Sequence, residues 1–149
     1  MGTTLTAMLI TQQRYSIVNV GDTRAYEIAE QLRQLTKDQT VVANEVRQGI
    51  LTPEEARRDP RRNVLLQCVG ASEEVYPDFF FGETRDNVVY MMCTDGFRNE
   101  LNDEELFAYL HPGHLTSREM SAAYERTLID MAKQRQEKDN ISVITIRTF

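Results

Sequence analysis

The chain has 149 residues, 41% of them hydrophobic and 27% charged, and a net charge of −6. This composition excludes a disordered chain. Acidity without a long Lys/Arg block excludes nucleic acid as the expected partner. No apolar run is long enough to span a bilayer, so no membrane is expected either. Cys68 and Cys93 lack Cys-x-x-Cys spacing and read as buried thiols of a reducing, cytoplasmic compartment.

The chain opens almost directly on the apolar run Thr4 to Ile10, which predicts a strand and suggests a lost preceding segment. Gln12-Gln13 connects it to Arg14–Val20, rich in β-branched and aromatic residues and so a second strand. Gly21-Asp22-Thr23 signals a turn before extended residues 24–28, and a turn near Ala29-Glu30 leads into Leu32–Leu35. The expectation is an antiparallel meander.

The period then changes. Val41, Val42 and Val46 share one helical face that stops at Gly49. Thr52, Pro53 and Glu55 supply the N-cap, first-turn proline and capping box of a second helix. Arg57, Arg58, Arg61 and Arg62 follow as a solvated basic loop. Strand character returns at Asp78–Glu83 and at Val88–Cys93, the latter apolar throughout and hence central, ending at Thr94-Asp95-Gly96. Asn102 and Glu105 form a capping box with the staple Leu101/Leu106. His111 and His114 fall in an exposed connection between helices. Thr116 and Glu119 open the longest helix, with a buried stripe expected at Met120, Ala123, Tyr124, Thr127, Leu128 and Met131. Lys138-Asp139-Asn140 precedes a last alternating strand, Ile141–Ile146.

Asp22, Asp95 and Asp139 each lie where a strand meets a loop. Gathered on one rim of a sheet, three carboxylates raise one another's pKa values unless a cation neutralises them. Carboxylate oxygens without His or Cys favour Mg²⁺ or Mn²⁺ over zinc. Each aspartate alone also fits a simple turn.

The segments Val20 to Tyr26 (VGDTRAY), Leu35 to Asp38 (LTKD), Cys93 to Phe97 (CTDGF) and Asp139 to Val143 (DNISV) occur in the order of the later motifs of the protein phosphatase 2C family. Met1 to Thr4 (MGTT) and Arg62 to Leu65 (RNVL), with Gly70 beyond, also resemble that family, so the likeness runs from residue 1 to about 147. It implies an α+β fold, part of a four-layer α-β-β-α sandwich with antiparallel sheets. It also implies one domain over 1–149, the C-terminal portion of the family's domain, with a flap-like insertion at 40–62.

By the same resemblance Asp95 and Asp139 are metal ligands, Asp22 helps hold an additional metal, and the cofactor is Mn²⁺ or Mg²⁺. The implied activity is hydrolysis of phosphoserine and phosphothreonine in proteins by two-metal-activated water. A phosphorylated protein is the expected partner, and a cognate kinase a further one. The family's Asp-Gly-x-Gly-Gly segment, whose Asp bridges both metals, occurs nowhere here, and Leu66-Gln67-Cys68 stands where many relatives have Thr-Arg-Ala. The expectation is therefore a truncated chain, inactive alone, with exposed edges and apolar faces. The alternative is a degenerate, non-catalytic phosphatase fold used for binding or sensing.

Overall fold

The computed structural model describes residues 1–149 throughout. They form two compact units, Met1–Thr23 with Thr36–Gly82, and Arg24–Leu35 with Glu83–Phe149.

In the first unit β1 (Leu5–Ile10) and β2 (Arg14–Val20) pair antiparallel, Leu5 opposite Val20 and Ile10 opposite Tyr15. β5 (Asp78–Glu83) joins them in the order β1-β2-β5. Tyr15, Ile17 and Val20 are buried. Between β2 and β5 lie two short helices. Helix α1 (Val41–Arg47) is capped by Thr40, whose hydroxyl accepts from the Ala43 N–H, and it buries Val42. Helix α2 (Pro53–Arg58) has the expected capping box and buries nothing. The basic loop after it is not uniformly solvated: Arg61 donates to both oxygens of Glu45 at 2.9 and 2.8 Å and also pairs with Asp59. That bidentate grip ties the loop back to α1. Cys68, expected buried, is only half-buried.

The second unit holds a four-stranded sheet, β4-β3-β6-β7, made of β4 (Leu32–Gln34), β3 (Arg24–Ile28), β6 (Val89–Cys93) and β7 (Val143–Arg147). All its pairs are antiparallel. As its apolar run predicts, β6 is central and almost wholly buried. Helices α3 (Asp95–Arg98), α4 (Asp103–Leu110) and α5 (Arg118–Gln134) belong to this unit. Its core joins Tyr26, Ile28, Met91 and Cys93 of the sheet to Leu106, Leu110, Leu115 and Leu128. Two sheets of antiparallel strands with helices make the fold α+β.

Several further expectations are corrected. The first four strands are not one meander: β2 and β3 belong to different sheets. The turn between them is bent away from a hairpin by Gly21 at φ +108° and held by Gln39. Asp95-Gly96 does not merely turn but opens the helical turn α3. Helix α5 is capped by Ser117, one residue later than expected, its hydroxyl accepting from the Met120 N–H. Its inward stripe is only partly as expected: Leu128 is buried and Tyr124 and Met131 pack on the core, while Met120, Ala123 and Thr127 are exposed and Ala132 is buried in addition. Finally β7 begins at Val143, so Ile141 lies ahead of the ladder. No helix is long and apolar enough to cross a membrane.

Candidate metal centre

The sheet register of the second unit sets one rim. Arg24 at the start of β3 faces Cys93 at the end of β6, and Cys93 faces Val143 at the start of β7. Asp95 leaves this rim two residues after β6, and Asp139 approaches it four residues before β7. Antiparallel order therefore delivers both aspartates to the same end of the sheet.

Thr94 clasps the two approaches together. Its N–H donates to the Ser142 carbonyl at 3.0 Å, and its hydroxyl accepts from the Ser142 N–H at 3.1 Å. The same hydroxyl hydrogen is shared between the carbonyls of Asn140 and Ser142 at 3.3 and 3.4 Å. Gly96 lets the two loops touch. A Cβ there would lie 2.4 Å from the Asn140 carbonyl oxygen and 3.2 Å from the Asp139 Cβ, so no larger residue fits without moving backbone. Thr94 and Gly96 hold the two loops together, a part that the sequence alone did not single out. Their signal was their place on either side of Asp95.

The route to Asp139 is fixed from the helix side. Gln136 adopts the left-handed φ of +69°, with Gln136 N–H donating to Lys133 and Glu137 N–H to Ala132 at 3.0 and 3.1 Å. This Schellman ending turns the chain sharply out of α5. Arg135 anchors the turn, donating to Glu105 at 2.8 and 2.5 Å and to the Glu100 carbonyl at 2.7 Å. The Arg135 guanidinium, helped by the Asn102 N–H, holds the Glu105 carboxyl down at about 2. Glu137 Oε1 then accepts from the N–H groups of Lys138 and Asp139, both at 2.8 Å.

Asp95 is half-buried and Asp139 exposed. One oxygen of each is used locally: Asp95 Oδ1 accepts from the Gly96 N–H at 2.9 Å, and Asp139 Oδ1 from the Asn140 N–H at 2.7 Å. The remaining oxygens face no protein donor. A spare carboxylate oxygen on each of two aspartates at one end of the sheet is the donor type that suits a hard divalent cation. Behind the rim, Arg24 donates to the Tyr26 hydroxyl at 3.0 Å, and burial pushes that phenol up to about 12.

Asp22 lies in the first unit and is buried. The turn carrying it is closely braced: Gly21 N–H donates to Gln39 Oε1 at 2.8 Å and the Gln39 N–H to the Gly21 carbonyl at 3.0 Å. A Cβ on Gly21 would strike the Thr4 side chain at 2.4 Å. Gln39 also donates to Asp78 at 3.0 Å. Asp95 and Asp139 are thus brought to one rim, whereas no group of three or more His, Cys, Asp or Glu side chains is arranged to hold a metal ion. His111 and His114 sit in an aromatic cluster instead, His114 stacked on Tyr124 at 5.3 Å and His111 edge-on to Phe107 at 5.4 Å.

Comparison with known proteins shows what the chain resembles. Over 145 residues the chain is 34% identical to the serine/threonine protein phosphatase PstP of Mycobacterium tuberculosis, and over 147 residues 32% identical to the serine/threonine phosphatase Stp of Listeria monocytogenes. It matches one part of the bacterial PPM-type serine/threonine phosphatases. The likeness covers 97 and 98% of this chain but only 27% of PstP and 56% of Stp. The Streptococcus agalactiae serine/threonine phosphatase superposes with a TM-score of 0.89 at 28% identity, covering 99% of this chain and 60% of that one. The PstP catalytic domain, solved in complex with two manganese ions, gives 0.79 at 32% identity, covering 97% and 57%. No family model matches the chain. The resemblance to PPM-type phosphatases read from the ordered motifs therefore holds in both sequence and fold.

Proposed function

We propose that the chain serves metal-dependent hydrolysis of phosphoserine and phosphothreonine in proteins, with Asp22, Asp95 and Asp139 as ligands for Mn²⁺ or Mg²⁺. The observation that carries this reading is the clasp of Thr94-Asp95-Gly96 on Asp139-Asn140, which presents one unpartnered carboxylate oxygen from each aspartate. The two manganese ions in PstP support the choice of metal. Asp22 is included because it stands two residues ahead of Arg24, which begins β3 at the rim.

When bound, such ions activate water for in-line attack at phosphorus and offset phosphoryl charge. The chain's own residues hold and orient. Asp95 and Asp139 supply anionic oxygens, Thr94 fixes their spacing, and Arg135 with the Schellman turn sets the approach of Asp139. Residues 40–62, with α1, α2 and the Arg61–Glu45 grip, act as the flap of the phosphatase domain, of which 1–149 is a part. The substrate is a phosphorylated protein, a cognate kinase is its counterpart, the location is cytoplasmic, and neither nucleic acid nor membrane takes part.

Because no Asp-Gly-x-Gly-Gly segment occurs in these residues, turnover by them alone is low. The test is Mn²⁺-dependent hydrolysis of a phosphothreonine peptide, by this chain and by a fusion that adds the Asp-Gly-x-Gly-Gly-containing portion of a relative. Activity only in the fusion, lost on Asp95→Asn, supports the reading. A fusion that folds, binds Mn²⁺ and still turns nothing over favours a binding or sensing module.

A further inference from the structure

We propose that the tip of the β3–β4 hairpin and Arg85 form an oxyanion site for a dianionic phosphoryl group, separate from the aspartate rim. A cavity of roughly 250 Å³ opens there, lined by Glu27, Ala29, Glu30, Gln31, Arg33 and Arg85. The register puts it at the far end of the sheet from Asp95 and Asp139: Ile28 pairs with Leu32 and Val89, whereas Arg24 pairs with Cys93.

The charges are arranged as a gripping device. Glu27 is only 3% exposed, and its Oε1 accepts from Arg33 Nη2 at 3.0 Å and Arg85 Nη1 at 3.5 Å. One buried oxygen thus draws two guanidiniums from different elements to the same cavity. Glu27 Oε2 is buried with no partner. That orphan acceptor is a cost to the fold and no attraction for an anion; the pull on the arginines comes from Oε1. Glu27 holds two arginines whose side chains remain about half exposed, 56 and 46%. Arg33 spends a single N–H on Glu27, and its other donors have no protein partner.

Glu30 shows what Arg85 accepts. Its carboxylate, on a side chain 76% exposed, takes Arg85 Nη2 onto both oxygens at 2.8 and 3.0 Å. Such an exposed ion pair is weak, so a ligand can replace it. The tether gives Glu30 a high effective concentration, however, and an incoming monocarboxylate has no advantage over it. A phosphoryl group brings a second negative charge and a third oxygen for the free donors of Arg33. With Glu30 displaced, two guanidiniums and one carboxylate leave the cavity net positive toward that dianion.

The test titrates the intact chain, carrying Asp95→Asn and kept in chelator so that the rim takes no part, with inorganic phosphate and with an O-phosphoserine peptide. Side-chain NMR of the arginines reads the site. The Arg33 and Arg85 guanidinium signals should shift and saturate with phosphate, and binding of the phosphoserine peptide should weaken below about pH 6 as its phosphoryl group gains a proton. Acetate should fail to compete. Glu30→Gln, an exposed change that leaves the fold alone, should tighten binding by about threefold to tenfold. Arg85→Met should remove it. Tighter binding of the peptide would identify a protein-borne phosphoryl group as the ligand, and tighter binding of the free ion would identify phosphate itself. Absence of the arginine shifts, shifts that Glu30→Gln and Arg85→Met leave unaltered, or acetate binding as well as phosphate would overturn the proposal.

Discussion

The two sheets of this chain are finished to different degrees. In the second unit, β3 and β6 share one closed core with Leu106, Leu110, Leu115 and Leu128. In the first unit, Leu5 and Leu9 on β1 stand 49 and 67% exposed, and Phe79 and Phe81 on β5 stand 62 and 71% exposed. Leu5 and Leu9 are four residues apart and Phe79 and Phe81 two, so each pair shares a face of its strand. Large apolar side chains this exposed on two strands are candidates for cover by a partner surface. The difference teaches where stability resides: packing in the second unit holds the aspartate rim, while the outward residues of the first unit contribute little until something covers them.

The sharpest way to break this contrast is to empty each side in turn. Leu128→Ala, at a position with no exposure, should cost about 2–5 kcal/mol in chemical denaturation. A loss below 1 kcal/mol would show that the second core is not the stabilising one. Gly96→Ala forces a Cβ onto the Asn140 carbonyl and should cost about 1–3 kcal/mol while loosening the rim. Unchanged stability and metal affinity would mean that the close approach of the loops is not needed.

Smaller effects sharpen the picture. Glu105, held at about 2 by Arg135, adds stability that is fully present above the ordinary carboxyl value of 4.5. That stability is lost as pH falls from 4.5 through about 2, where native Glu105 also takes up a proton. Arg135→Met should flatten that part of an acid titration while leaving the neutral and alkaline limbs in place. Smallest of all, Leu9→Gln or Phe81→Gln should shift stability by no more than about 0.5 kcal/mol. Both changes should reduce self-association in sedimentation or light scattering, and a large destabilisation by either would show that the outward face is already in use.

Much of the fold was legible because the relevant signals are local. Thr52-Pro53 and Asn102 with Glu105 announced their helices, and both capping boxes form. The apolar run at Val89–Cys93 announced a central strand, and two neighbours cover its edges. What was not legible depends on distant partners. The change of sheet at Gly21–Thr23 is enforced by Gln39, about twenty residues on, so adjacent strands looked like one meander. The stripe of α5 was only partly legible: Leu128, Tyr124 and Met131 do pack on the core, but Met120, Ala123 and Thr127 are exposed and the buried Ala132 was missed, because the face that meets the core depends on distant residues. At the rim, Asp95 and Asp139 were visible as strand-end acids. The Thr94 clasp, the fit at Gly96 and the Arg135 anchor needed coordinates, because each joins residues at least thirty positions apart.

The central claim is that these acidic side chains bind divalent cations, and Mn²⁺ titration followed by electron paramagnetic resonance tests it most directly. The chain should bind Mn²⁺, and Asp95→Asn and Asp139→Asn should each weaken binding by at least about tenfold, no less than loss of an outer-shell partner does. Asp22→Asn should weaken binding as well, to a smaller extent. Equal Mn²⁺ affinity in the parent and in both rim variants, all of them folded, would contradict the account.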